Sequence, residues 1–302
     1  MDSVTFDMRS DGKDLMYDRL TASRRRRFRS RRRRLRLAVK RGTGRGEVMK
    51  RLVAALRFLT IVPFPGAWGM AEADLAGSVP WFPLVGLLLG GIAAAVAGGA
   101  SLVLPPLIAA VLILVTLLVF SGGLHLDGLS DTADGCLSSR SRERMLEIMK
   151  DSRTGAMGVM AIVCVLLAKF AGLASLAAPP AKALWPAVLL MPLAGRCAMV
   201  VHMALLPNIR AGGLGALFCQ SRPRLAAVWA VGVLAAGAWC VLGRRGLAVV
   251  AMCLAVTLGL AFYVQRKLGG TTGDTFGAVC EIVETVPALT LACSPLQAWE
   301  DG

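Results

Sequence analysis

The chain has 302 residues, 56% of them hydrophobic, and a formal net charge of +15. A mean hydropathy of +0.63 is too high for a soluble domain, and the apolar residues gather in runs of about 20, long enough to cross a bilayer as helices. With no alternating short strands of a membrane barrel, composition excludes a soluble enzyme and leaves an all-α, polytopic helical membrane bundle of six to seven spans.

Residues 1–48 differ from the rest. They hold 16 Lys/Arg against 6 Asp/Glu, so ten of the fifteen net positive charges sit here, in a block running from Arg24 to Arg36. Three readings stay open: a disordered, solvated arm, an arm for anionic lipid, and one for nucleic acid, the last the weakest. Met49-Lys50-Arg51 also reads as a natural start, which adds a fourth reading in which 1–48 is a mis-assigned start; 1–48 is expected to be a basic, disordered extension and 49–302 a single integral-membrane domain. No apolar stretch follows the first basic cluster closely, so no secretory leader is expected.

Residues 50–65 are apolar with a basic edge and end at Pro63 and Pro65, which suggests an interfacial or re-entrant helix with Arg57 reaching lipid headgroups. Spans are expected near 82–104, 106–121, 157–178, 183–206, 225–242, 246–264 and, shorter, 282–294, with Pro179-Pro180 as an external turn. Gly86 and Gly90 form a GxxxG, which permits close helix approach and gives a weak pointer to a homodimer. The eight cysteines form no CxxC pair and are expected as packing residues.

With the basic N-terminus inside, segments 122–156, 207–224 and 265–281 all fall on the cytoplasmic side, and Arg244-Arg245 is left outside as an exception. The segment at 122–135 reads GGLHLDGLSDTADG. On a helix, Asp127, Asp131 and Asp134 fall at i, i+4 and i+7 on one face, where they repel each other unless a cation sits among them. Oxygen-only ligation suits Mg²⁺, which brings phosphate with it. The stretch EIMKDSRTGAMG at 147–158 adds Lys150 and Arg153 for phosphate oxygens, Asp151, and glycines opening the next span, whose N-terminus would favour an anion. Arg210 leads RAGGLG, and GGTTGD supplies Gly273 and Asp274 before Glu281 and Glu284, carboxylates that need a cation or partner at a span entrance. His125 is a base, a metal ligand, or a residue that orients an aspartate; His202, inside a span, is expected to be structural.

These stretches, together with RFLTIVPFP at 57–65 and WFPLVGLLLG at 81–90, resemble the cobalamin synthase (adenosylcobinamide-GDP ribazoletransferase) family, in the same order from about Met49 to Leu291. Ser130 stands before the second aspartate, where that family more often has alanine. The resemblance implies a Mg²⁺-dependent enzyme of the bacterial inner membrane. It would join α-ribazole, or its 5′-phosphate, to the cobinamide phosphate of adenosylcobinamide-GDP and release GMP.

The residues suit that chemistry, since displacement at a diphosphate needs charge neutralisation more than covalent help. Asp127, Asp131 and Asp134 are the expected Mg²⁺ ligands, and if two metals bind, Asp274, Glu281 and Glu284 would supply the second site. Lys150, Arg153, Arg210 and Gly273 are expected at the phosphates, and His125, Asp127, Asp151 and Asp274 in catalysis, with a base drawn from His125, Asp151 or Asp274. CDP-alcohol phosphotransferases have a similar aspartate-rich helix but open with DGxxAR, which is missing here. A cation-coupled transporter is the alternative of another class, and would want its carboxylates near the bilayer midplane.

Overall fold

A computed structural model describes residues 44–178, 183–210, 212–219 and 223–293. The arginine block, the Pro179-Pro180 turn, Ala211 and Arg222 lie outside the described residues. Among the described residues the regular structure is helical, apart from one isolated bridge between Asn208 and Thr271.

Helix α1 spans Arg45–Leu59, so the expected boundary at residue 48 falls inside its first turn. Thr60 ends it, its hydroxyl donating to the Leu56 carbonyl at 2.8 Å, ahead of the two prolines. Arg57 does not reach for headgroups. Its guanidinium donates to the carbonyls of Phe64 and Gly66 and clamps the proline loop back on the helix. The short α2 (Glu72–Ala76) and a 3-10 turn (Val79–Trp81) lead into α3 (Phe82–Val103).

Then follow α4 (Pro106–Ser121), α5 (Leu124–Cys136), α6 (Arg142–Ile148), α7 (Ala156–Ala177), α8 (Leu184–Leu205), α9 (Gly213–Phe218), α10 (Arg224–Leu242), α11 (Arg244–Leu268) and α12 (Gly273–Cys293). Six of the described segments are long and apolar enough to cross a membrane: Val79–Val103, α7, α8, α10, α11 and α12. The pair α4–α5 makes a seventh if counted as one span, although it is bent by 89°. The protein is therefore a multi-pass membrane protein.

The bundle is organised on α8, which packs against α3, α10, α11 and α12 and is buried along most of its length. Small residues set the spacing. A Cβ on Gly86 would stand 2.7 Å from the Pro192 carbonyl oxygen, and one on Gly90 2.2 Å from that of Leu189. The GxxxG is thus spent on α3–α8 packing within the chain, and the homodimer expectation loses the motif it rested on.

Two ends differ from expectation. The last span starts at Gly273 rather than 282, and the chain turns at Gly243 directly into α11. Arg244 and Arg245 sit at that corner, at the other end of the α10–α11 pair from Arg224 and Lys267.

Candidate active site

Two glycines build the corner that makes the site. Gly122 caps α4 with φ 61° and Gly123 precedes α5 with φ 69°, left-handed values that other residues rarely adopt. The chain turns through 89° there, so α5 runs across the ends of the spans instead of continuing α4. It lands on the first turns of α12. The contact is backbone to backbone: a Cβ on Gly128 would meet the Asp274 carbonyl oxygen at 2.7 Å, and one on Gly277 would meet the His125 carbonyl oxygen at 2.8 Å. This close crossing brings the aspartates of α5 to the first turn of α12.

Asp127 and Asp131 lie one turn apart on α5, Asp127 exposed and Asp131 half-buried. Burial, followed by the charges of Asp127 and Asp274, pushes the Asp131 carboxyl up to about 6. Asp274 is held by Arg210, whose Nη1 donates to its Oδ2 at 2.7 Å, while Arg210 Nη2 donates to the Met149 carbonyl at 3.3 Å. One guanidinium thus joins three segments distant in sequence.

The two glycine-rich loops are fastened together. Ile209 N donates to the Thr271 carbonyl at 3.0 Å, and Thr271 N to the Pro207 carbonyl at 2.9 Å. The threonines of GGTTGD start α12. Thr272 N donates to Thr275 Oγ1 at 3.0 Å and Thr275 N to Thr272 Oγ1 at 3.4 Å, a reciprocal cap.

Asp134 departs from expectation. Its Oδ2 accepts from Gly155 N at 2.7 Å and its Oδ1 from Gly158 N at 2.8 Å. The anion expected at the N-terminus of α7 is therefore this side chain, and Gly155 and Gly158 make room for it: a Cβ on either would stand 2.5 Å from a carboxylate oxygen. Through these two bonds Asp134 fastens α5 to α7, each oxygen accepting one amide and keeping a further lone pair.

Glu281 and Glu284 depart further. They lie two to three turns inside α12, about 12 and 16 Å from its start. Lys169 of α7 donates to Glu281 Oε2 at 2.6 Å and to Glu284 Oε1 at 2.9 Å, and Arg196 of α8 donates to Glu284 Oε2. Two buried cations neutralise two buried anions, so the second metal site expected there is an ion-paired quartet in the bundle.

Lys150, Asp151 and Arg153 are exposed on the loop after α6 and do not line the cavity described below. Arg153 grips Asp151 at 2.7 Å, and that guanidinium holds the Asp151 carboxyl at about 2, far too low for a base near neutral pH. His202 is buried and meets the Phe276 ring edge-on at 6.1 Å, in keeping with a packing role.

A cavity of about 250 Å³ opens at the α5–α12 crossing. Asp127, Asp274, Arg210, Gly273 and His125 all line it. His125 is buried at 1% exposure, and burial, then the nearby Arg196, pushes its imidazole down to about 3, so it is neutral. Among the described residues, no group of three or more His, Cys, Asp or Glu is placed to hold a metal ion by protein ligands alone.

The family model for cobalamin-5-phosphate synthase matches residues 51–292. The chain belongs to that family. A protein of Roseiflexus sp. named adenosylcobinamide-GDP ribazoletransferase is 47% identical over 242 residues, covering 80% of this chain and 88% of its own length. One of the same name from Desulforamulus reducens is 46% identical, covering 76% and 91%, and one from Herpetosiphon aurantiacus 39%, covering 81% and 97%. No solved structure matches.

Within the family stretch, Lys169, Arg196 and three phenylalanines also shape the bundle and the cavity. Lys169 and Arg196 are the partners of the glutamates; a lone cation inside an apolar run was the signal, because such a charge needs a counter-charge. Phe58, Phe218 and Phe276, which also line the cavity, carried no signal, since nothing in an apolar run separates a cavity wall from a core.

Proposed function

We propose that this chain joins α-ribazole, or its 5′-phosphate, to the cobinamide phosphate of adenosylcobinamide-GDP, releasing GMP and giving adenosylcobalamin or its 5′-phosphate. The observation that carries the reading is the α5–α12 crossing, where Asp127, Asp274 and Arg210 line one cavity and Asp131 stands one turn along α5 from Asp127, in a chain of the cobalamin-5-phosphate synthase family. The printed names of the relatives support it.

The reaction is one displacement at phosphorus. The ribose hydroxyl oxygen forms a bond to the phosphorus that carries cobinamide. The bond from that phosphorus to the oxygen bridging to GMP breaks, and GMP leaves with the electron pair. The hydroxyl proton goes to an acceptor lining the cavity, and of the three expected bases Asp274 qualifies, because Asp151 and His125 are both held too low to take a proton near neutral pH. Arg210, already turned into the cavity wall, is the cation at hand for the diphosphate oxygens.

Mg²⁺ fits the donor set. Asp127 and Asp131 offer oxygen ligands one turn apart, and burial, followed by the charges of Asp127 and Asp274, raises the Asp131 carboxyl. Mg²⁺ usually takes one or two carboxylates and fills its shell with water and phosphate, which matches a site lacking a full set of protein ligands. When bound, it would neutralise charge on the diphosphate. The proposed setting is a bacterial inner membrane with the site on the cytoplasmic face, by the positive charge of the loops on that side.

The test is GMP release by purified protein in detergent. Release that requires adenosylcobinamide-GDP, α-ribazole and Mg²⁺ together is the expected result. GMP release without α-ribazole, or none with all three in active lipid and detergent, would overturn the reading.

A further inference from the structure

Part of the cavity wall is apolar. Phe58, Phe218, Phe276 and Met199 line it, and the rings of Phe58 and Phe218 lie 4.9 Å apart at 53°. Phe218 and Phe276 are each 2% exposed. Polar atoms without a protein partner stand in the same wall: both ring nitrogens of His125, Oδ1 of Asn208 and Nε of Arg210. Buried polar atoms are nearly always paired, so several unpaired ones around one space point to a ligand that pairs them. Apolar walls with a few convergent polar groups are the usual make-up of a small-molecule site.

The next step rests on the function proposed above. Its two substrates differ greatly in size. A corrin macrocycle exceeds a cavity of about 250 Å³, whereas a flat bicyclic base is of the right scale. We infer that this cavity is the acceptor subsite: the nucleoside enters base first, its aromatic base packs on Phe58, Phe218 and Phe276, and His125 and Asn208 bond its polar atoms. The ribose is then left beside Asp127 and Asp274, and the corrinoid and its nucleotide stay outside at the rim. Phenylalanines would cover the faces of the base while His125 and Asn208 meet its polar edge, so base selectivity would rest mainly on shape and stacking.

The experiment measures α-ribazole binding by equilibrium titration in detergent, and KM for each substrate with the other saturating. It compares wild type, Phe218→Leu, Phe276→Leu and the control Phe82→Leu. Phe82 packs against Phe58 and Phe218 at 5.8 and 5.5 Å but does not line the cavity, so it reports general loosening.

Loss of one stacking ring is expected to raise Kd and KM for α-ribazole about tenfold. KM for adenosylcobinamide-GDP should stay within about twofold, and Phe82→Leu should move neither by more. A rise in the corrinoid KM with the α-ribazole KM unmoved would overturn the inference, as would equal effects from Phe82→Leu. Wild-type turnover separates the two claims. If wild type turns over both substrates but the cavity variants leave α-ribazole binding alone, only the subsite fails; if wild type releases no GMP, the function fails first.

Discussion

Replacing Gly128 by alanine tests whether the helix crossing makes the site. The added Cβ would stand 2.7 Å from the Asp274 carbonyl oxygen and 3.2 Å from its Cα, where ordinary contact begins at 3.4 Å. Both obstacles are backbone, and Gly277 presses from the same side with its Cα 3.2 Å away. The helices must therefore part by about 0.7 Å, because no flexible side chain can yield instead. Overpacking of this kind costs about 1–3 kcal/mol of stability. The larger effect falls on rate: a shift approaching 1 Å between reacting groups can cost about a hundredfold. We expect kcat for GMP release to fall about ten- to a hundredfold in Gly128→Ala, with the protein still monodisperse in detergent. Gly98→Ala is the control, since its Cβ would point into open space, and its activity should match wild type. Activity of Gly128→Ala within about threefold of wild type would refute the claim that contact at this crossing positions the aspartates.

Removing the α7 cap with Asp134→Ala deletes two charge-assisted hydrogen bonds, and should cost about 2 kcal/mol or more, read as a lower thermal midpoint. An unchanged midpoint would count against this cap as a fastening of α5 to α7. Lys169→Met leaves Glu281 and Glu284 with one cation between them and should cost about 3–5 kcal/mol; adding Glu281→Gln should recover part of the loss, and the absence of any recovery would count against the quartet. Because the Asp131 carboxyl sits up at about 6, protons compete with Mg²⁺ below that pH. The Mg²⁺ concentration for half-maximal activity should therefore fall as pH rises from 5 through 6 and level off towards pH 7; a flat dependence would contradict a role for Asp131 in holding the ion.

The spans were legible because hydropathy over some 20 residues needs no knowledge of neighbours. The start of α12 was not. Asp274, Glu281 and Glu284 interrupt its apolar run, and the cations that neutralise the glutamates lie 112 and 88 residues earlier in the chain. Hydropathy scores a paired carboxylate as it scores a bare one. The aspartate face of α5 was read correctly as a helix, but the spacing i, i+4, i+7 cannot say that Asp134 is already bonded to amides 21 and 24 residues away. Likewise Gly155 and Gly158 were legible as sites of close approach, while what approaches, a carboxylate rather than a phosphate, is a tertiary fact. Arg210 stood out beside its glycines, but its pairing with Asp274 depends on two loops meeting.

The most direct test of the account is GMP release by Asp131→Asn, which keeps shape and removes charge at the centre of the carboxylate group. With adenosylcobinamide-GDP, α-ribazole and Mg²⁺ supplied, the account predicts activity below about a tenth of wild type, with membrane insertion and thermal midpoint unchanged. Activity above that level, with the wild-type Mg²⁺ dependence, would contradict it.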